Sequence, residues 1–230
     1  MVTVRRPVPA LLLVVALVVA TLVGLAQVRA GAAGNRCDRY AAQSRARAAT
    51  VTGAGARVVV IGDSWSAGLG LGHPADSWAS RLPGAVHVAG FSGSGFAEDA
   101  SPCAGVSFAD RAPAALRGGA DLVVVEGGLN DYDQPEVAVR AGFRVLVRDL
   151  RAAGVLGRTV VVGPASAPSR SAAVPHVDAL LADLAAAYSL PFVDTSSLEL
   201  PYLDDRLHLT AAGHRTFGDY VATRIVDLRP

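Results

Sequence analysis

Three side chains of this sequence have the types and the setting for nucleophilic catalysis. Asp204-Asp205-Arg206-Leu207-His208-Leu209-Thr210 lies just before a helix-like C-terminal stretch. Three residues apart on a turn, Asp205 and His208 can face each other, so that the carboxylate accepts from one imidazole nitrogen and the other is free to take a proton. A hydroxyl to supply that proton stands in Gly62-Asp63-Ser64-Trp65-Ser66, where the glycine permits a tight turn and Ser64 can stand exposed at the start of a helix. The plain alternative is that Asp63 and Ser64 only cap that helix. Two further segments carry groups able to donate to a developing oxyanion. In Gly90-Phe91-Ser92-Gly93-Ser94-Gly95-Phe96, a glycine brings backbone N–H groups close to a bound carbonyl, or simply makes a flexible loop. In Gly127-Gly128-Leu129-Asn130-Asp131, the Asn130 amide can donate, or Asn-Asp can merely form a turn. Of the other histidines, His73, His87 and His176 lack a comparable carboxylate at a strand end, and His214, inside the last helix, reads as a packing residue.

The elements that must hold these groups alternate along the chain. Short β-branched runs at Arg57–Ile61, Ala85–Ala89, Asp121–Glu126, Arg158–Val162 and Pro191–Asp194 are each followed by glycine, serine or asparagine and then by a helix-like stretch. That alternation predicts an α/β fold, a five-stranded parallel sheet with helices on both faces and the functional crevice at the carboxyl ends of the strands. Helices are expected at Pro135–Ala153, with Val137, Val139, Phe143, Leu146, Val147 and Leu150 as the buried stripe, at Pro175–Tyr188, and at Thr210–Val226 with Thr210 as N-cap.

Composition narrows the chemistry. The 230 residues are 51% hydrophobic and 18% charged, enough for one sizeable globular domain. Beyond Arg5, Arg6 and Arg29 the formal charge is about −2, which speaks against a nucleic-acid partner. Every basic side chain is arginine, so mechanisms needing a Schiff-base or phosphate-loop lysine are excluded. Arg5 and Arg6 precede an apolar run from Leu11 to Ala26 and the small-residue pattern Val28-Arg29-Ala30. Residues 1–30 therefore read as a signal peptide, or as an uncleaved N-terminal membrane anchor, and either places the rest outside the cytoplasm. Residues 31–55 form an Ala-, Gly- and Arg-rich lead-in, and 56–230 the domain. Cys37 and Cys103, the only cysteines, are expected to form a disulfide tying that lead-in to the body. The loop of about 66 residues it closes is worth roughly 4 kcal/mol in the chain-entropy model.

Taken together, Gly62-Asp63-Ser64, Gly93, Gly128-Leu129-Asn130-Asp131 and Asp205-x-x-His208 resemble the four blocks of the SGNH (GDSL-type) hydrolases, in order and at similar spacing, from Val58 to about Val221. The resemblance implies a flavodoxin-like three-layer α/β/α fold and a serine esterase acting on lipid or acylated carbohydrate. Ser64 would be the nucleophile, His208 the base and then acid, and Asp205 its orienting partner. The N–H groups of Ser64 and Gly93 (with Gly95 as the alternative) and the Asn130 amide would form the oxyanion hole. No metal or organic cofactor is implied. The sequence departs from the family pattern in Arg206, where glycine is common, in Leu209, where proline is common, and in Trp65, where leucine is common. Trp65 with Phe91 and Phe96 would wall an acyl pocket, or Trp65 would pack on the neighbouring helix. The same triad would serve an acyltransferase. Alternatives from other classes are a carbohydrate-binding module on this fold and a metal-dependent phosphoesterase using Asp63, Asp204 and His208.

Overall fold

The computed structural model describes residues 8–227. Arg5 and Arg6, and the side chains of Val28-Arg29-Ala30, lie outside the described residues. The chain divides into two compact units, Met1–Arg39 and Tyr40–Pro230. A single helix, α1, runs from Val8 to Ala48 and takes in most of the lead-in. In its apolar part Leu13, Leu17, Leu22 and Leu25 are all exposed. Among the described residues no helix is long and apolar enough to cross a membrane. Cys37 and Cys103 are both disulfide-bonded, as expected from their number.

The second unit holds a five-stranded sheet, β1 (Arg57–Gly62), β2 (Ala85–Gly90), β3 (Leu122–Glu126), β4 (Thr159–Val162) and β5 (Phe192–Val193). All pairings are parallel and the order is β2-β1-β3-β4-β5. Parallel strands need crossovers that cover both faces, which is why β3 and β4 are buried along their whole length and read as unbroken Val-rich runs. The edge strand β2 instead alternates between buried and half-buried residues.

Successive side chains of each strand feed opposite faces. Val59 and Ile61 of β1 join a core with α3 (Phe108–Ala115), α4 (Glu136–Ala152) and α5 (Val174–Ala187), through Phe108, Phe143, Leu146, Leu150 and Leu181. Val58 and Val60 join a second core, where Trp65 of α2 (Ser64–Ala67), Trp78 and residues Phe217, Val221 and Ile225 of α6 (Ala211–Asp227) pack. In α4 the stripe is as expected except at Val137, which is 71% exposed because it lies in the first turn on the face away from the sheet. Thr210 caps α6, its hydroxyl accepting from the Gly213 N–H at 3.1 Å. Strand order reverses direction of growth between β1 and β3, the place where such sheets open a crevice at their carboxyl edge.

Candidate active site

Ser64 follows β1 directly, and the turn that carries it serves two purposes. Asp63 is the N-cap of α2, its Oδ1 accepting from the Trp65 N–H at 2.9 Å. Gly62 is required by space, because a Cβ there would lie 2.1 Å from the Ser66 hydroxyl and 2.8 Å from Glu126 Oε2. Capping by Asp63 leaves Ser64 free to turn its hydroxyl toward His208. Contrary to the expected exposure, Ser64 is only 5% accessible.

The opposite wall is the loop before α6. Its backbone is folded on itself by Arg206 N–H to Leu203 O (2.8 Å) and Leu203 N–H to His208 O (2.7 Å), with Arg206 at φ +56°. Asp205 Oδ1 accepts from the N–H groups of Leu207 and His208, both at 2.9 Å, and Oδ2 lies 2.6 Å from His208 Nδ1. A carboxylate only accepts, so Nδ1 carries the proton and Nε2 keeps its lone pair. Nε2 lies 3.1 Å from Ser64 Oγ. Partial burial alone would raise the Asp205 pKa, but the hydrogen bonds from the His208 ring and from the two backbone N–H groups outweigh it and hold it below the ordinary value. Trp65 Nε1 donates to Leu207 O at 3.1 Å and so anchors this loop to α2.

The third side comes from the ends of β2 and β3. Gly93 sits at φ +83° in a turn closed by Ser94 N–H to Phe91 O, a conformation that suits glycine. The Asn130 amide donates to Ser94 O at 2.9 Å and to Asp63 Oδ2 at 3.3 Å, so one side chain links the segments that carry Ser64 and Gly93. Beneath them the half-buried Arg111 donates through its guanidinium to Gly62 O, to Ala89 O and to the Ser94 hydroxyl.

Three buried carboxyls surround this ground floor. Burial pushes Asp63 up to about 6, against the Trp65 N–H and the charges of His208 and Arg111. Burial likewise raises Asp131 to about 7, although it accepts from the N–H groups of Ala97 and Phe96. Glu126 is driven well above the carboxylate range by burial and by the nearby Asp63, and Ser66 hydroxyl lies 2.5 Å from its Oε2. The Trp78 indole N–H donates to the same hydroxyl, and the Trp78 backbone N–H donates to Nδ1 of the buried His214. Burial lowers His214 to about 4. It is a packing histidine, as its place in the helix suggests.

The residues named from sequence are therefore brought together at Ser64, Asp205, His208, Gly93 and Asn130, but not at the aromatic wall. Trp65 packs edge-on against Phe217 in one core, Phe96 packs against Phe108 and Phe143 in the other, and Phe91 meets Tyr40. The sheet separates Trp65 from Phe96, so the three do not line one pocket. Asp63, Asp204 and His208 do not gather either, and among the described residues no three His, Cys, Asp or Glu side chains are placed to hold a metal ion. Sequence reasoning missed Arg111, Ser66, Glu126 and the linking role of Asp63. The acid ending an otherwise apolar strand at Glu126 was the one visible sign.

The model of the GDSL-like lipase/acylhydrolase family matches residues 60–216. No curated protein matches the sequence. Among solved structures, the chain resembles the native aryl esterase of M. smegmatis, with TM-score 0.59 and 22% identity over 76% of this chain and 100% of that one. A carbohydrate acetylesterase from Sinorhizobium meliloti gives 0.58 and 20% over 76% and 100%. A lipase/acylhydrolase from Enterococcus faecalis gives 0.58 and 22% over 76% and 98%.

Proposed function

The chain belongs to the GDSL-like lipase/acylhydrolase family and is a carboxylic ester hydrolase; we propose that it is an exported serine esterase in which Ser64, His208 and Asp205 form the catalytic triad. The observation that carries this reading is the continuous contact from Asp205 Oδ2 through the His208 ring to Ser64 Oγ, 2.6 Å on one side and 3.1 Å on the other.

In this mechanism Ser64 Oγ attacks the ester carbonyl carbon while its proton passes to His208 Nε2. The tetrahedral adduct collapses, the carbon–oxygen bond to the alcohol breaks, and the imidazolium returns its proton to the departing oxygen. Water then attacks the acyl-Ser64 ester with His208 again as base, releasing the acid. Asp205 stays ionised and stabilises the imidazolium in each half. The oxyanion takes the N–H groups of Ser64 and Gly93 and the Asn130 amide, whose 3.3 Å contact with Asp63 is the weaker of its two and the one to be exchanged.

Commitment of Trp65 and Phe96 to the two cores leaves the crevice without the aromatic wall a long acyl chain would use, which supports short acyl groups on a carbohydrate or small alcohol. The acetylesterase and aryl esterase named above fit such substrates by their names. Export is supported by the Arg5-Arg6 and apolar N-terminal pattern and by the disulfide. The test is hydrolysis of p-nitrophenyl esters from acetate to palmitate by the protein and by Ser64→Ala. An optimum at two to four carbons, with activity lost in the folded variant, is expected. Activity retained by Ser64→Ala would refute the serine mechanism, and an optimum at long chains would refute the short-acyl reading.

A further inference from the structure

We infer that Arg170 forms an anion subsite at the rim of the crevice, recognising a carboxylate or phosphate on the ester substrate. This rests on the serine-esterase reading and adds the charge class of the substrate.

Arg170 lies in the connection from β4 to α5, at the carboxyl edge of the sheet. Its guanidinium carbon sits 3.5 Å from the centroid of the Tyr132 ring. Tyr132 is two residues past Asn130, and the residue is 38% exposed. The neighbouring Ser169 N–H donates to Arg206 O at 3.0 Å, which ties the Arg170 segment to the loop that bears Asp205 and His208. The cation is thus held between the Asn130 turn and the His208 loop, the two flanks of the reacting centre.

Its charge is uncompensated there. Among the described residues the ion pairs join Arg81 to Asp219, Arg140 to Glu136, Arg148 to Asp149, His176 to Glu136 and His208 to Asp205, and none includes Arg170. The acids of the two segments that Arg170 touches are engaged elsewhere, Asp133 accepting from Gln134 and Asp205 from His208, and the nearest acid along the chain, Asp178 in α5, forms no ion pair with it. Arg170 Nε is buried without a hydrogen-bond partner, so stacking has withdrawn water from the group without supplying an acceptor. A guanidinium pinned on an aromatic face is oriented with its two Nη edges fixed, the geometry that takes a planar carboxylate or a phosphate in two parallel hydrogen bonds. A merely structural stacked arginine on this surface would normally gain from an acidic partner, and among the described residues no ion pair supplies one.

The test uses two matched ester pairs. In one the acyl group is neutral or anionic, p-nitrophenyl butyrate against mono-p-nitrophenyl succinate. In the other the leaving group is neutral or anionic, methyl 4-acetoxybenzoate against 4-acetoxybenzoate. The anionic member of one pair is expected to have a KM about tenfold lower than its neutral partner, and that preference should fall with added salt. Arg170→Gln should remove most of the preference and Arg170→Lys should restore part of it. Binding of the preferred anionic ester by Ser64→Ala, weakened about tenfold by Arg170→Gln in the same background, reads the subsite without turnover. No preference in either pair, or an Arg170→Gln effect equal on both members, would overturn the inference. Binding that depends on Arg170 while hydrolysis is missing or survives Ser64→Ala would overturn the esterase mechanism instead and leave the subsite standing.

Discussion

Asp205 and His208 are joined twice, once through the ring at 2.6 Å and once through the backbone, where the His208 N–H meets Oδ1 at 2.9 Å. The carboxylate therefore fixes the loop and the tautomer together, and the two effects separate by substitution. Asp205→Asn keeps an oxygen for the backbone contact but presents an amide donor to the ring, which favours the wrong tautomer. We expect kcat to fall on the order of 10³-fold. The midpoint of urea unfolding should move little, since the carboxylate is half exposed. A loss confined to KM would show that Asp205 acts on binding instead.

Asn130→Ala should lower kcat on the order of 10²-fold with a smaller change in KM, as removal of one oxyanion donor does. The same substitution also cuts the link between Ser94 O and Asp63. Asn130→Asp separates the contributions, because it restores length but places a second acid against Asp63 and supplies no donor while ionised. Stopped-flow rates of acylation for both variants check this, with Asn130→Asp expected to be the slower.

Glu126 carries its pH dependence in a calculable direction. Its folded pKa is raised above the ordinary 4.5, so above that pH the unfolded chain releases a proton that the folded chain retains, and stability declines as pH rises. Glu126→Gln has no proton to retain. Its stability should lie within about 1 kcal/mol of the parent at pH 5 and should exceed the parent at pH 8, measured by urea unfolding at both. A difference independent of pH would mean that Glu126 is ionised in the fold.

His214 works in the opposite sense. Its folded pKa is lowered from 6.5 to about 4, so between those values the unfolded chain binds the extra proton and stability is lost as pH falls. His214→Asn keeps an acceptor for the Trp78 N–H and removes the titration. Going from pH 7 to pH 5, the parent should lose about 2 kcal/mol relative to this variant. Equal losses in both would place the acid sensitivity in other groups.

The strands and the residues at their ends were legible because both are local signals. Val58-Val59-Val60-Ile61 announces a buried parallel strand, and Gly62-Asp63-Ser64 can only follow it at the carboxyl edge. The pairing of Asp205 with His208 is likewise set within one turn. What stayed hidden depends on which face of the sheet a distant segment covers. Trp65 and Phe96 look alike as aromatic residues beside glycine-rich turns, yet the first lies under α6 and the second under α4. Arg111 gives no sign in α3, because its acceptors come from the carbonyls of β1 and β2 and from Ser94, all brought to it only by the completed sheet. Val137 is apolar but, two residues before Val139, it lies on the opposite side of α4 from the buried stripe, so its type and not its helical position suggested burial.

The contacts of Arg111 also bear on how the crevice meets its substrate. One planar group, itself held by Val106 O, grips the last carbonyl turns of two neighbouring strands and the hydroxyl of the loop beyond them. Loss of conformational freedom by the Gly93 turn therefore occurs when the chain folds, and little of it is left to occur on each encounter. A crevice with a floor fixed in this way is expected to recognise by lock and key, selecting molecules already shaped to fit, with selectivity left to rim residues that can change without disturbing the floor.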